Sequence, residues 1–262
     1  MNVLIVLGSV IIGGCKHEAE SVPPVSVKEP VEFDSAHQQL AKILEQVTDG
    51  FGPVDYEILH RDPKALEEYL NHMASVPRSQ FDGWPKPERM AFLLNVYNAT
   101  TLKLMADHYP VTSITMIGGI RSVWNLKVVR LFGKKWTLND VEHGMIRKMF
   151  QSPSIHFALV CAAKGCPVLR KEPYTAIRLE KQFSEQARLF LMDEEKNFID
   201  LEKQELHLSP IFKWYEEDFG KDDAEIIQFV ADYFPAKTAE ALRAGGFKIR
   251  YTDYDWSANT KN

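Results

Sequence analysis

Between Pro85 and Tyr109 the chain carries apolar residues around nearly the whole helical wheel, in the run ERMAFLLNVYNATTLKLMADHY. A helix with no polar face belongs in the interior, so this pattern predicts a long central buried helix opening at Pro85 or Pro87, where proline suits a first turn. Other stretches have a single apolar stripe. Leu40, Ile43, Leu44 and Val47 recur at helical spacing over Asp34 to Gln46, with Asp34 or Ser35 as cap and Gly50 as stop. Asp62-Pro63 opens a further helix. Thr175 to Met192 reads as amphipathic helix, and PIFKWYEEDF and AEIIQFVADYF as two more.

Period-two patterns are shorter. Ser122 to Trp136 predicts a hairpin turning at Gly133. Asn197 to Leu208 predicts another, with Phe198 and Leu201 alternating against Leu206 and Leu208. Phe247 to Tyr251 reads as a last short strand, and the apolar run Ile155 to Cys161 as a buried one. The sum is a single mixed α+β domain over residues 33–262, helix-rich, with short β-hairpins and a central buried helix. No internal repeat or linker interrupts it.

The first 32 residues follow other rules. Residues 1–15, MNVLIVLGSVIIGGC, form an apolar run too short to span a bilayer, ending in small residues and a cysteine. Ile12-Gly13-Gly14-Cys15 resembles a bacterial lipobox, although no Lys or Arg precedes the apolar run. The resemblance implies cleavage before Cys15, lipidation (palmitate) at Cys15, and anchorage to the membrane through that lipid. The alternative is an uncleaved N-terminal anchor. Both readings put the body in the cell envelope outside the cytoplasm, and Lys16 leans towards the periplasmic face of the outer membrane. Residues 16–32, with Val-Pro-Pro-Val at their centre, read as a disordered, extended tether.

Charge narrows the partners. Lys and Arg number 31 against 36 Asp and Glu, a formal net charge of −5 without a basic stripe. Nucleic acid is therefore not an expected partner, because phosphate contacts need a cationic footprint.

Candidate chemistry gathers in two segments. In TLNDVEHGMIRKMF, after a Thr137 cap, Leu138, Val141, Met145 and Met149 share a helical face, and Glu142 falls inside that stripe. A carboxylate there is either part of a site or an anchor for a neighbouring backbone or Arg. Helical spacing points Arg147 away and leaves His143 at the edge. In IHFALVCAAKGCPVLR, strand alternation puts His156 with Ala158 and Val160, opposite Cys161. The thiol able to face His156 is then Cys166, in the Gly165 loop with Lys164 nearby to favour thiolate. Glu142, His156 and Cys166 make an orienter, base and nucleophile.

Other readings stay open. Cys161 and Cys166 suit a disulfide, structural or redox-active, or two inert core thiols. Zinc held by Glu142, His143, His156 and a cysteine is chemically reasonable but matches no zinc spacing signature. Otherwise no cofactor is expected. Asn95 and Asn98, one turn apart in the apolar helix, either pin the cysteine segment or line a pocket. Trp214 and Tyr215 are core packing or the border of a cleft.

AFLLNVYNA, TLNDVEHGMIR, IHFALVCAAKGCPVLR, PYTAIRLEKQ, LSPIFKWYEEDFG and YDWSAN resemble, in this order, the hallmark segments of domain of unknown function 547, over roughly residues 81–259. The resemblance implies that Asn95, Asn98, Glu142, His156, Cys161 and Cys166 belong to shared motifs, without implying their roles. Bacterial members are often exported or lipoproteins. Residue chemistry then points to a thiol-dependent hydrolase or acyltransferase acting on a peptide or other amide. The contrasting reading is a non-catalytic envelope binding or scaffolding module that engages another envelope protein.

Overall fold

Proline at the cap and sixteen buried residues out of 22 define α5, Lys86–Asp107, the helix around which the first half of the chain is built. The computed structural model describes residues 33–261. The signal segment, Cys15 and the tether expected over residues 1–32 lie outside them.

Three helices precede α5 and pack about it: α1 (Gln38–Val47), α2 (Tyr56–Arg61) and α3 (Lys64–Ser75), with the single turn α4 (Arg78–Asp82) leading in. The four residues of the α1 stripe are the four it buries. The N-cap is His37, without a side-chain capping bond, rather than the expected Asp34 or Ser35. Asp34 still accepts the N–H of Ala36 at 3.0 Å and that of Gln38, the first helical residue, at 2.6 Å. α1 stops at Thr48, two residues before the expected Gly50. The short α2 and α4 were not legible as periodic runs because each has too few turns to display one.

Strands β1 (Val129–Leu131) and β2 (Lys134–Trp136) form the first hairpin, turning through Phe132 and Gly133, both at positive φ. That is the turn geometry two-residue hairpins favour. The expected hairpin is shorter than its sequence span, because Val123–Asn125 is a 3-10 turn. The second hairpin, β3 (Phe198–Asp200) with β4 (Glu205–Leu208), is extended by β5 (Lys248–Tyr251) running parallel to β4. Only Leu206 and Leu208 of the predicted alternation are buried. Phe198 lies on an outer strand, stacked on His207, and Leu201 sits in the exposed turn.

Two expectations are corrected where they matter most. Ile155 to Cys161 is not a strand: Pro153–Phe157 forms a 3-10 helix and the following residues run on without a strand partner. The helix of Glu142 is a π-helix over Asp140–Ile146, continued by α6 (Arg147–Phe150). Its start is held reciprocally, the Thr137 hydroxyl accepting from Asp140 N–H and the Asp140 carboxylate from Thr137 N–H, each at 2.9 Å.

The second half packs α7 (Leu179–Leu191), α8 (Ile211–Trp214), α9 (Glu216–Phe219), α10 (Asp223–Ala231) and α11 (Ala236–Ala244) around the three-stranded sheet. Apolar residues form two adjoining cores. Ile155 belongs to the one around α5, while Phe157 reaches into the other. His156 lies between them, at the seam of an α+β fold.

Candidate functional site

The segment without a strand partner still has to place its buried backbone groups, and α5 supplies them. Asn98 donates its Nδ2 to Ala158 O at 2.9 Å and accepts Val160 N–H at 3.0 Å. One turn earlier, Asn95 holds Tyr174 in the same way, at 2.8 and 2.9 Å. Each amide replaces the two bonds a neighbouring strand would make. Both asparagines therefore pin backbone.

Val160 delivers Cys161. The loop then turns back through Ala162, at φ 59°, to Cys166, whose N–H bonds Ala163 O at 3.1 Å. The chain's last segment clamps this loop: Lys164 N–H bonds Ser257 O, Gly165 N–H bonds Asp255 O, and Asn259 N–H bonds Ala162 O. Gly165 permits the approach, since a Cβ there would stand 3.0 Å from both Asp255 N and the Tyr254 ring.

Both sulfurs are free thiols. Cys161 N–H donates to Cys166 Sγ at 2.8 Å, and Cys161 Sγ lies 3.1 Å from the Tyr254 hydroxyl. The two thiols differ in environment. Cys166 is buried, and burial, with Cys161 alongside, pushes its thiol well above the ordinary value. Cys161 is half-buried, and the hydrogen bond from Cys166 draws its thiol below the ordinary value. Bonds from Tyr254 and the Ala163 N–H add to this against the desolvation. The expected Lys164 effect on Cys166 is absent: Lys164 is exposed, and its charge acts on Asp255.

The carboxylate that holds His156 is not the expected one. Glu142 does not orient His156. It is buried and accepts the Tyr97 hydroxyl at 3.1 Å, and the Tyr215 phenol is near enough that burial first, and the Glu142 charge next, push that phenol up. His156 Nε2 instead meets Asp218 Oδ2 at 2.6 Å. Asp218 comes from α9, which the break at Tyr215 turns off the line of α8. Tyr215 uses that break to stack on His156, ring centres 3.9 Å apart.

Arg147 does not point away. It binds Asp218 through Nε at 2.7 Å and Nη2 at 2.9 Å, and Glu217 at 2.5 Å. The π-helix explains the error: the Arg147 N–H reaches Glu142 O, five residues back, so the two residues stack on a face that α-helical spacing would separate. Burial raises the Asp218 carboxyl, but hydrogen bonds from His156 and Arg147 outweigh it and hold the group well below the usual carboxylate range. His143 is half-buried, with Nδ1 3.1 Å from Arg147 Nη1 and facing a guanidinium. Among the described residues, no three His, Cys, Asp or Glu side chains cluster as a metal site would require.

Glu142, His156, Cys161 and Cys166 all line one cavity of about 200 Å³, walled by Trp124, Trp214, Tyr215, Tyr254 and Trp256. All three proposed triad members are thus brought to one hollow, while Asn95 and Asn98 stand behind it as braces. Asp218, Arg147 and Tyr254 were missed. Asp218 sits in the acidic run Glu216-Glu217-Asp218, which reads as a solvated face. Tyr254 had only its place in the YDWSAN segment as a signal.

Residues 81–191 match the model of a family described as protein of unknown function, DUF547, which supports the family resemblance of the chain's ordered segments. No curated protein and no solved structure matches the chain. Asp218 and Tyr254 lie beyond the matched residues, so two contacts of the site come from outside them.

Proposed function

We propose that the cavity carries a thiol-dependent hydrolysis or acyl transfer on a peptide or other amide, with Cys161 as nucleophile. What carries this reading is the joint exposure, to one small hollow, of a hydrogen-bonded thiol and an imidazole held by a carboxylate. Cys161 takes the role first given to Cys166 because it is the more open of the two and the better placed to ionise.

In this reading His156 accepts the Cys161 proton, and Asp218 fixes the ring and stabilises its cation. The sulfur attacks the amide carbonyl carbon and forms a C–S bond. The C–N bond breaks as the amine leaves with the proton from His156. Water, or a second nucleophile, then attacks the thioester, breaks the C–S bond and returns the thiol. Tyr254 donates its hydroxyl to the sulfur, because burial first, and the neighbouring thiols next, keep the phenol protonated. Cys166 supports the Cys161 thiolate by its own S–H. The resemblance of Ile12-Gly13-Gly14-Cys15 to a lipobox would place this chemistry at the envelope membrane, which labelled-palmitate incorporation with and without Cys15→Ser tests.

Alkylation by iodoacetamide, followed peptide by peptide across pH, tests the thiol. Each unit of lowered pKa raises the thiolate fraction at neutral pH about tenfold. Cys161 is expected to label first and faster than an ordinary cysteine, with the rate cut by Tyr254→Phe. Equal, slow labelling of both cysteines would sink the enzyme.

The adjacency of the sulfurs favours one second reading, a reversible dithiol in a binding module. A disulfide donor would take two electrons and two protons to close the bond. Intact mass of the unreduced protein, with and without such a donor, distinguishes the two: a bond that forms readily and leaves function unchanged supports the module.

A further inference from the structure

Three of the chain's five tryptophans, Trp124, Trp214 and Trp256, face the same cavity as Cys161. Tyr254 joins them, its ring centre 4.8 Å from that of Trp214 and 4.5 Å from that of Trp256. Trp256 also meets Trp124 edge-on and Trp214 face-on, each at 5.7 Å. Tyr97 and Tyr215 complete a wall of six Trp and Tyr rings.

The only carboxylate in that lining is Glu142, and the lining holds neither Lys nor Arg. Glu142 is 5% exposed and accepts one phenol, Tyr97, at 3.1 Å, with Tyr215 beside it. It makes no ion pair among the described residues, and Arg147, five residues further along the chain, is committed to Asp218 and Glu217. A phenol uses part of a carboxylate's accepting capacity and none of its charge. A buried carboxylate without a counter-ion is costly, and aromatic faces attract cations.

We propose that this cavity binds a small cationic group, a primary ammonium such as a lysine side chain or a peptide amino terminus, seated against the aromatic wall and Glu142. The inference rests on the thiol reading for the reaction and on the lining alone for the group recognised. It makes the substrate an amide with an ammonium group close to the carbonyl that Cys161 attacks, or an amine that accepts the acyl group. The volume, about 200 Å³, suits a few heavy atoms and leaves the remainder of a peptide outside.

Tryptophan fluorescence of the whole folded chain, titrated with n-butylammonium, n-butanol and n-butyrate, provides the test. The ammonium is expected to bind about tenfold more tightly than the alcohol, and butyrate least. The preference should shrink in Glu142→Gln. It should also shrink in Trp214→Leu, a half-exposed position whose change leaves the core intact. Equal affinities, no binding of either, or a preference untouched by both variants would overturn the inference. Iodoacetamide labelling of the same preparations separates it from the thiol reading. A fast Cys161 without ammonium preference removes only the cation pocket. An ammonium preference with an ordinary Cys161 keeps the pocket and removes the enzyme.

Discussion

His156 Nε2 and Asp218 Oδ2 stand 2.6 Å apart, joining a 3-10 turn in the middle of the chain to a short helix 62 residues further on. Arg147 completes the group by binding Asp218 through two nitrogens. Neither half of the fold holds this arrangement by itself, so its geometry reports on how the two cores meet.

Asp218→Asn should therefore cost stability as well as orientation. The loss expected is about 2 kcal/mol at neutral pH, the scale of hydrogen bonds to charged groups. The Asp218 carboxyl is held below its ordinary value, so its contribution is present above that value and disappears as pH falls through the lowered one. The gap between wild type and variant, measured by urea unfolding, should be full at pH 7 and narrow below about pH 4. A gap that stays constant with pH would show that the pair does not act through charge.

Asn98→Ala leaves Ala158 O and Val160 N–H without partners next to Cys161. Two buried backbone groups stranded in this way cost about 2–4 kcal/mol. Asn95→Ala should cost a similar amount through Tyr174. The two differ in consequence, since only Asn98 braces the segment that delivers Cys161. Thermal unfolding should drop in both variants, whereas iodoacetamide labelling of Cys161 at a temperature where both are folded should change only in Asn98→Ala.

These braces show why part of the fold was legible and part was not. The stripe of α1, the all-round burial of α5 and the Gly133 turn of the first hairpin are local signals, and these elements lie close to where they predict. A buried apolar run such as Ile155 to Cys161 carries no such signal. It reads as a strand because strands are the usual way to satisfy buried backbone, and here two bonds from an asparagine 60 residues away do that work instead. Glu142 was visible because it interrupts a stripe. Its neighbours were not, because a π-helix shifts which residues share a face without changing composition. Asp218 was hidden in an acidic run, since no pattern separates the one carboxylate that turns inward from two that do not.

A buried histidine away from the site should make the fold sensitive to acid. His37 packs under Phe33 and Tyr69, accepts or donates through Nδ1 to the Tyr69 hydroxyl at 2.9 Å, and leaves Nε2 without a partner among the described residues. Burial lowers its pKa from 6.5 to about 4, with Asp34 opposing and His72 assisting. The unfolded chain thus binds a proton that the folded chain refuses between those values. Stability should be unaffected by this group above about pH 6.5 and fall by about 3 kcal/mol as pH drops towards 4. His37→Asn, a residue tolerant of the left-handed backbone at this position, should remove that part of the slope. Chemical unfolding at intervals from pH 7 to 4 measures it, and parallel curves for the two proteins would refute the assignment.

Gly165 offers a test of whether Tyr254 matters to the thiol. Its φ is not positive, so the backbone itself would accept alanine. What resists is space: the added Cβ would meet Asp255 N at 3.0 Å and the Tyr254 ring at 3.0 and 3.1 Å. The carbonyl of the same residue, Asp255, accepts Gly165 N–H, so the backbone cannot retreat without straining the clamp, and the ring is the part free to yield. Gly165→Ala should cost about 1–3 kcal/mol, the scale of overpacking, and should tilt Tyr254 off the Cys161 sulfur. A thiol that loses a donor to its ionised form titrates higher. The pH midpoint of Cys161 alkylation in Gly165→Ala should therefore move up, as in Tyr254→Phe, and the double variant should move no further than either alone. Additive shifts would mean that the two changes reach the sulfur by separate routes, and an unmoved midpoint would remove Tyr254 from the thiol's support.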